Sequence, residues 1–344
     1  MKKDILSMFP EEIDLYMSEI GQPRFRAGQI FSWLHKGVRD FDLMSNIPVS
    51  LRERLKGDFA LHKPVVLSKE VSKLDGTIKY LWELQDGNAV EAVIMRYSYG
   101  NTICVSTQVG CRQGCAFCAS TIGGLVRCLT AGEILDEVIY SQLDSGLKIS
   151  HIVLMGIGEP LDNYDNVIRF IKLVNHKNGL NIGIRNITLS TCGIIEKFDA
   201  LAAENLPFTV AVSLHAASDE LRSRIMPSNR GRGLDKLVEA CIKYNSSTGR
   251  RISFEYAMIR DVNDTDEDAY RLSEIANRVH AHINLIPLNE VEEKSFRPST
   301  PERLKSFISI LEKNNVNVTV RRKLGGDLNA SCGQLRRKFT KEKQ

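Results

Sequence analysis

The sequence lacks any long apolar stretch. No segment approaches the roughly 20 consecutive apolar residues that a membrane-spanning helix requires. The acidic residues Asp4, Glu11 and Glu12 interrupt the N-terminal region in which the apolar part of a signal peptide would lie. We therefore expect a cytosolic (cytoplasmic) protein with no membrane partner. Low-complexity segments are also missing, and the overall composition is typical of a globular chain.

The net charge of the 344-residue chain is a mild +4 at pH 7, but the charges are distributed unevenly. Residues 321–344 contain eight lysines and arginines, against only Asp327 and Glu342. A basic tail of this kind can neutralise phosphate groups and so favours a nucleic-acid partner. On charge alone, a solvated C-terminus with no binding role is an equal alternative.

The sequence divides into four predicted regions. Residues 1–60 form a helical accessory domain, and residues 61–100 form a small antiparallel sheet that links it to the main domain. Residues 101–325 form the main domain, and residues 326–344 form a cysteine-containing loop with the basic tail. In the first region, apolar residues recur at helical spacing in 27–38 and 47–55. In the second, apolar and polar residues alternate around the turn signals Asp75-Gly76 and Asp86-Gly87, which is typical of antiparallel strands.

Short β-rich segments alternate with longer helical segments throughout the main domain. The predicted strands are 102–108, 151–156, 186–191, 208–214, 252–258, 283–288 and 316–321. The predicted helices are 131–143, 166–176, 233–244, 266–279 and 301–314. Repeated strand–helix units predict an α/β fold with a parallel sheet and outer helices. About six units favour a partial (β/α)6-type barrel, and a doubly wound open sheet is the alternative, because periodicity does not decide closure.

Three cysteines, Cys111, Cys115 and Cys118, lie close together after the first predicted strand. Gly110 and Gly114 allow this loop to curl, so that three thiolates can face one point. A 4Fe–4S cluster needs a ligand on each iron, so three cysteines would leave one iron open. Zinc is the alternative occupant, but structural zinc sites use four ligands in paired motifs, and no second CxxC pair occurs elsewhere.

Glycines and polar residues follow the next strands, where parallel sheets place their ligand-binding loops. Gly158 and Glu159 belong to the segment GIGEPL; glycine permits close approach of a ligand, and the carboxylate is a hydrogen-bond acceptor. The other candidates at strand ends are Ser190, Ser213, Leu214, His215 and Asn289. Singly, each is more simply a strand-end cap, but as a set they predict one polar pocket.

The CxxxCxxC spacing after the first strand of a βα domain resembles the signature of radical S-adenosylmethionine (SAM) enzymes. In that superfamily the open iron binds SAM, and the resemblance assigns the glycine, carboxylate and strand-end residues above to SAM contacts. With Cys104 in the first strand, GEPL at 158–161 and ASCGQL at 330–335, the chain closely resembles the bacterial adenine-C2 RNA methyltransferases. This resemblance implies a radical SAM barrel over about residues 100–325.

The resemblance also implies a mechanism that uses two SAM molecules per turnover. One SAM methylates Cys332; the second, bound to the cluster, yields a 5′-deoxyadenosyl radical that takes a hydrogen atom from the S-methyl group. The carbon radical adds to C2 of the adenine. Cys104 then attacks the sulfur of Cys332, which releases the methylated RNA and leaves a Cys104–Cys332 disulfide for an external dithiol to reduce. From the residues alone, a core position and a chemical role are equal alternatives for Cys104, whereas small neighbours and Gly333 favour an exposed thiol at Cys332 over an inert loop cysteine.

Glu91 matches the position of the family's proton acceptor, although by itself it is one polar position in an alternating strand. The resemblance further implies large-subunit ribosomal RNA and transfer RNA as partners, an external electron donor, and action as a monomer. The target adenine must leave its stack to reach a buried radical centre, so base flipping or single-stranded presentation is expected.

Three alternative functions stay open at this point. A related adenine-C8 methyltransferase would share the five cysteines but typically lacks the proline of GEPL, and Pro160 is present. A different radical SAM enzyme would not require a methylated Cys332. An iron–sulfur or zinc protein that only binds RNA would consume no SAM.

Overall fold

The computed structural model describes residues 2–291, 293–322 and 324–328. Its N-terminal part contains the helices α1 (Pro10–Glu19), α2 (Phe25–His35) and α3 (Val49–Asp58). Two short parallel strands, β1 (Lys3–Asp4) and β2 (Phe59–Ala60), bring the two ends of this part together. The apolar residues at helical spacing in α2 are buried, so the helix packs through one face.

One sheet of ten strands dominates the rest of the molecule. It begins with three antiparallel strands, β3 (Val65–Val71), β4 (Ile78–Glu83) and β5 (Ala89–Tyr97). A tight turn then joins β5 to β6 (Gly100–Cys104), and the two pair as a hairpin. The small antiparallel sheet expected over 61–100 is therefore an extension of the main sheet rather than a sheet of its own.

The chain leaves the sheet after Cys104, so the first predicted strand is shorter than expected. It forms a two-stranded antiparallel ribbon, β7 (Gln108–Gly110) and β8 (Leu125–Cys128), whose connection carries the three clustered cysteines. The remaining predicted strands are confirmed within a few residues of their expected ends: β9 (Ile149–Leu154), β10 (Ile187–Thr191), β11 (Thr209–Ser213), β12 (Ser253–Met258), β13 (His282–Pro287) and β14 (Val318–Val320).

Strand order separates the two fold classes that the sequence left open. The parallel strands lie side by side in chain order, β6, β9, β10, β11, β12, β13 and β14. A doubly wound sheet reverses its order at a switch point, and no reversal occurs among these strands. The parallel part is thus a partial barrel, and β3 and β14 are the edge strands of the sheet as described.

Helices cover the outer side of the parallel strands: α4 (Ala131–Ser145), α5 (Tyr164–Asn175), α6 (Phe198–Ala203), α7 (Asp219–Ile225), α8 (Leu234–Thr248), α9 (Asp266–Val279) and α10 (Pro301–Lys313). Capping residues set where α4 begins and ends. Thr130 and Glu133 form a capping box at its N-terminus, and Gly146 ends it in the left-handed conformation. The two short helices α6 and α7 were not predicted, because six or seven residues give too little periodicity. In the described part of the chain, every helix is too short or too polar to cross a bilayer.

Candidate active site

The loops after the parallel strands surround a cavity of about 370 Å³. Strand β5 contributes one wall, because Glu91, Val93 and Met95 alternate onto the inner face. The predicted site residues that line the cavity are Glu91, Cys104, Cys111, Cys115, Cys118, Gly158, Glu159, Ser190, Ser213, His215 and Asn289. Leu214 does not line it, and Cys332 lies outside the described residues.

Backbone contacts hold the cysteine loop against helix α7. The Ala116 N–H donates to the Ile225 carbonyl at 2.8 Å, and the Cys118 N–H donates to the Cys115 carbonyl at 3.1 Å. Gly114 adopts φ +72°, a left-handed conformation that glycine accepts without strain. The loop is therefore shaped by its own backbone, and it presents all three thiols to one cavity.

Burial disfavours the charged form of the cysteine thiols. Burial, together with the like charge of nearby Cys118 and Glu159, raises the pKa of Cys111 to about 12. Burial also raises the pKa of Cys115 well above its usual value. Thiolates this close to one another and to a carboxylate can be ionised together only when a positive group binds between them. The chemistry of the loop therefore calls for a cationic ligand.

Glu159 is buried beneath the cavity surface and organises the loop after β9. Its carboxylate accepts hydrogen bonds from the Cys192 N–H at 2.7 Å, the Thr191 hydroxyl at 2.7 Å and the Leu161 N–H at 2.9 Å. Burial raises the pKa of Glu159, and these donors act against that rise. Three donors occupy three of about four acceptor positions of a carboxylate, which leaves about one for a ligand in the cavity.

Gly158 is required by packing as well as by its place in the cavity. Its φ is +111°, and an added Cβ would lie 2.6 Å from Gln108 Cβ. Gly156 has a similar constraint, because a Cβ there would lie 2.6 Å from the carbonyl oxygen of Val105. The two glycines thus let the loop after β9 press against the chain that leads into β7, in addition to allowing approach of a ligand.

His215 presents a neutral imidazole to the cavity. Its backbone has φ +56°, and its Nδ1 accepts a hydrogen bond from the Ala257 N–H at 2.9 Å. Burial lowers the pKa of His215 to about 3, and the positive charge of Arg222 lowers it further. With Nδ1 as acceptor, the ring proton is on Nε2. Phe117 of the cysteine loop packs edge-on against this ring at 5.0 Å.

The Leu214 side chain packs in the core beneath the sheet and does not line the cavity. Its side chain is fully buried, and its N–H donates to the Glu255 carbonyl at 3.0 Å. Its carbonyl accepts from Nε of Arg222 at 3.2 Å. Ser190 in β10 and Ser213 at the end of β11 line the cavity as half-buried polar side chains, and Asn289 after β13 lines it as an exposed one.

Glu91 has a buried cationic neighbour. Its carboxylate lies 3.6 Å from Nζ of Lys79 on the adjacent strand β4, and both side chains are almost wholly buried. The Glu91 carbonyl accepts from the Ser106 hydroxyl at 2.7 Å, and the same hydroxyl accepts from the Ile157 N–H at 3.0 Å. Ser106 therefore ties the strand that carries Glu91 to the loop that carries Gly158.

Cys104 ends strand β6 at the cavity wall. It is 9% exposed, and it lies between Val93 on β5 and Val153 on β9 in the sheet register. Both Cys104 and Glu91 thus share a cavity with the three clustered cysteines. The Cys104–Cys332 disulfide stays a prediction, because Cys332 is outside the described residues.

Comparisons with known proteins give the family. The radical SAM superfamily model matches residues 105–273, and the model of the ribosomal RNA large subunit methyltransferase N-terminal domain matches residues 3–61. A probable dual-specificity RNA methyltransferase RlmN from Clostridium tetani is 49% identical over 338 residues, which are 98% of this chain and 97% of that protein. This chain belongs to the RlmN family of radical SAM RNA methyltransferases.

A second relative and a solved structure support the same family. The probable dual-specificity RNA methyltransferase RlmN of Desulforamulus reducens is 49% identical over 339 residues, covering 98% of this chain and 97% of that protein. The crystal structure of a radical SAM methyltransferase from Sphaerobacter thermophilus superposes with a TM-score of 0.91 at 38% identity, covering 96% of this chain and 98% of that one. The radical SAM fold expected from the sequence is confirmed.

Membership of the radical SAM superfamily implies a 4Fe–4S cluster and SAM, and the donor set of this RlmN-family chain fits them. In its described residues, no three His, Cys, Asp or Glu side chains converge as ligands of a single metal ion. A cluster places each thiolate on a different iron, so its ligands are more widely spaced than those of one ion. Cys111, Cys115 and Cys118 would hold the cluster, and the cavity beside them would hold SAM.

Three charged residues of the site were missed by sequence reasoning: Lys79, Arg222 and Glu255. Arg222 is 1% exposed and donates to the carbonyl of Cys192 at 2.7 Å, which links helix α7 to the loop after β10. Glu255 lines the cavity from β12 and accepts from Asn284 at 2.9 Å. Only Glu255 had a sequence signal, as a lone carboxylate inside an apolar strand; the others depend on contacts between distant segments.

Proposed function

We propose that this RlmN-family enzyme methylates C2 of a specific adenosine in large-subunit ribosomal RNA and of an adenosine next to the anticodon in transfer RNA. The name of its relatives, dual-specificity RNA methyltransferase, supports two kinds of RNA substrate. The observation that carries the proposal is that Cys104 and Glu91 line the same cavity as the three clustered cysteines. A thiol and a carboxylate beside the cluster are what the methyl-cysteine route requires.

Cys332 is the proposed methyl carrier. The segment that leads to it is anchored at the cavity: Leu324 lines the wall, and the Gly325 N–H donates to Asp75 at 2.7 Å. Asp327 accepts from the Ser72 hydroxyl at 2.6 Å. Cys332 follows Leu328 by four residues, a length that spans at most about 14 Å when fully extended. Because Leu324 lines the cavity in which Cys104 lies, the segment that leads to Cys332 starts from the cavity wall, which supports this role.

Cys332 accepts a methyl group from one SAM, and its S-methyl carbon then forms the bond to C2 of the adenine. When bound, the cluster and a second SAM would supply the carbon-centred radical that this step needs. The adduct loses the C2 proton and one electron, which the oxidised cluster would take up. Cys104 then attacks the sulfur of Cys332, so that the carbon–sulfur bond breaks with its electron pair on the departing carbon, which takes up a proton to complete the methyl group, and a disulfide remains. An external dithiol reduces that disulfide by exchange, and an external donor supplies electrons.

Glu91 is the proposed acceptor of the proton that leaves C2. It is 4% exposed, so water has little access to it, and its carboxylate lies 3.6 Å from Nζ of Lys79. SAM is proposed to contact three other side chains of the cavity lining: the half-buried hydroxyls of Ser190 and Ser213, and the Nε2–H of His215.

Both proposed substrates are found in the cytoplasm, where we infer that the enzyme acts as a monomer. Nucleoside mass spectrometry of RNA treated with the anaerobically prepared enzyme tests the proposal. We expect 2-methyladenosine in ribosomal and transfer RNA, and none with Cys332→Ala. Methylation at C8 instead would show that the chain belongs with the adenine-C8 enzymes, and absence of any methylated adenosine would contradict the proposal.

A further inference from the structure

A half-buried tyrosine, Tyr97, and an exposed one, Tyr99, form a stacked pair in the hairpin between β5 and β6. Their ring centroids are 4.9 Å apart and their planes differ by 8°. Tyr99 is 62% exposed. Its ring also packs against the ring of His151 in a T-shaped contact, with 4.9 Å between the centroids and 72° between the ring planes. Two aromatic rings are therefore held in a fixed orientation without being buried, which is a cost unless something else covers them.

The pair lies on β5 and its turn, next along the chain after the residues of β5 that line the cavity. Tyr97 ends strand β5 two residues after Met95, so its side chain is on the inner face with Met95, Val93 and Glu91. The Tyr97 hydroxyl lies 3.7 Å from Sδ of Met95. A molecule that extends out of the cavity along β5 would therefore meet the two tyrosine rings.

The cavity wall next to this part of β5 carries positive charge. Arg321 and Arg322 follow β14 and line the cavity, and both act electrostatically on the Tyr97 hydroxyl. Arg322 is exposed, and Arg321 lies 3.4 Å from Sδ of Met155 in the cavity wall. Guanidinium groups are suited to phosphate, and aromatic faces are suited to stacking with unpaired bases. Together the two features match the two parts of a nucleotide.

We propose that the Tyr97–Tyr99 pair is a stacking platform for an unpaired base next to the target adenine, with Arg321 and Arg322 contacting the adjoining phosphates. The inference rests on the proposed function, because it needs an adenine that is turned into the cavity. Turning a base out of its stack leaves its neighbour without a stacking partner, and an aromatic platform replaces that contact.

RNA binding by the full-length protein tests the platform. The probe is a fluorescently labelled anticodon stem-loop with an adenosine after the anticodon, and a fully paired duplex of the same stem is the comparison. Stacking of one base contributes about 1–3 kcal/mol, so Tyr99→Ala should weaken stem-loop binding roughly 5- to 150-fold. Tyr99→Phe keeps an aromatic face and should bind within about twofold of the original chain.

Tyr270→Ala is the matched control, because Tyr270 is 54% exposed on helix α9 and has no stacked partner ring among the described residues. It should leave the affinity unchanged, and Tyr99→Ala should leave duplex binding unchanged. Equal stem-loop affinity for Tyr99→Ala and the original chain, at matched melting temperatures, would overturn the platform and leave the proposed function intact. Failure of the original chain to bind or methylate the RNA would overturn both.

Discussion

Lys79 and Glu91 form an ion pair inside the cavity wall, with 3.6 Å between Nζ and the carboxylate and only 1% and 4% of the two side chains exposed. Glu91 is opposite Leu81 in the register of β4 and β5, so Lys79 reaches it diagonally, two positions along the strand. Burial of a lone charge is costly, so each member of the pair makes the burial of the other tolerable. A proposed proton acceptor is thereby held beside a lysine side chain in a wall with little access for water.

Replacing Lys79 by methionine removes the cation from this pair. We expect Lys79→Met to lower the free energy of unfolding by about 3–5 kcal/mol, as for other buried pairs that lose one partner. The double variant Lys79→Met/Glu91→Gln removes both charges and should recover part of this loss. Urea unfolding of the two variants measures the difference. A double variant no more stable than Lys79→Met would contradict the pairing.

Gly158 and Gly231 offer a matched test of the packing behind the loop after β9. Both have positive φ, +111° and +79°, but a Cβ would lie 2.6 Å from Gln108 at Gly158 and would have nothing within 4 Å at Gly231. Gly231→Ala should lower the free energy of unfolding by about 1–2 kcal/mol through backbone strain. Gly158→Ala should cost about 1–3 kcal/mol more through overpacking. Equal losses would show that the contact with Gln108 has no effect.

Arg222 should be essential for the shape of the site. Its guanidinium donates to the carbonyls of Leu214, Cys192 and Ser213 and to the side chain of Asn229. Arg222→Met leaves buried acceptors without donors, at about 1–3 kcal/mol for each, so we expect a large fall in thermal stability and in the iron content after reconstitution. Arg224→Met, on the exposed side of the same helix, should change stability by less than about 0.5 kcal/mol. Similar effects of the two substitutions would contradict this role.

The buried His215 predicts a loss of stability in acid. Its pKa is about 3 in the folded protein, below its ordinary value near 6.5, so the unfolded chain binds a proton that the folded chain does not. The contribution of His215 is fully present above pH 6.5 and is lost as the pH falls from 6.5 toward 3, by about 1.4 kcal/mol per pH unit. The free energy of unfolding of His215→Gln should therefore depend less steeply on pH below 6.5. An unchanged slope would mean that His215 is protonated in the folded protein.

The strand–helix alternation was sufficient to predict the parallel strands and the loops in which most of the site lies. Each local signal, such as the apolar segment before GIGEPL, reports one strand, and parallel strands place their following loops on the same side. The closeness of Cys111, Cys115 and Cys118 was predictable for the same reason, since spacing along one loop is a local property. The extent of β6 was not, because the chain turns away from the sheet after Cys104 to form a separate ribbon.

Features that depend on contacts between distant segments could not be read from the sequence. Lys79 faces Glu91 only through the register of two antiparallel strands, and Arg222 meets Cys192 only through the packing of α7. Leu214 had the same sequence signal as its neighbours Ser213 and His215, but the pleat and the turn at His215 direct its side chain into the core. The steric need for glycine at Gly158 likewise depends on Gln108, fifty residues earlier in the chain.

The most direct test of the account is peptide mass spectrometry of the full-length enzyme, purified anaerobically after expression with iron and sulfide, before any RNA is added. We expect a brown protein in which Cys332 carries one methyl group and Cys104 carries none. Cys104→Ala should keep the methyl group on Cys332 and, after RNA is added, accumulate RNA covalently bound to the enzyme. A brown protein with an unmodified Cys332 would contradict the methyl-cysteine route and leave a different radical SAM reaction.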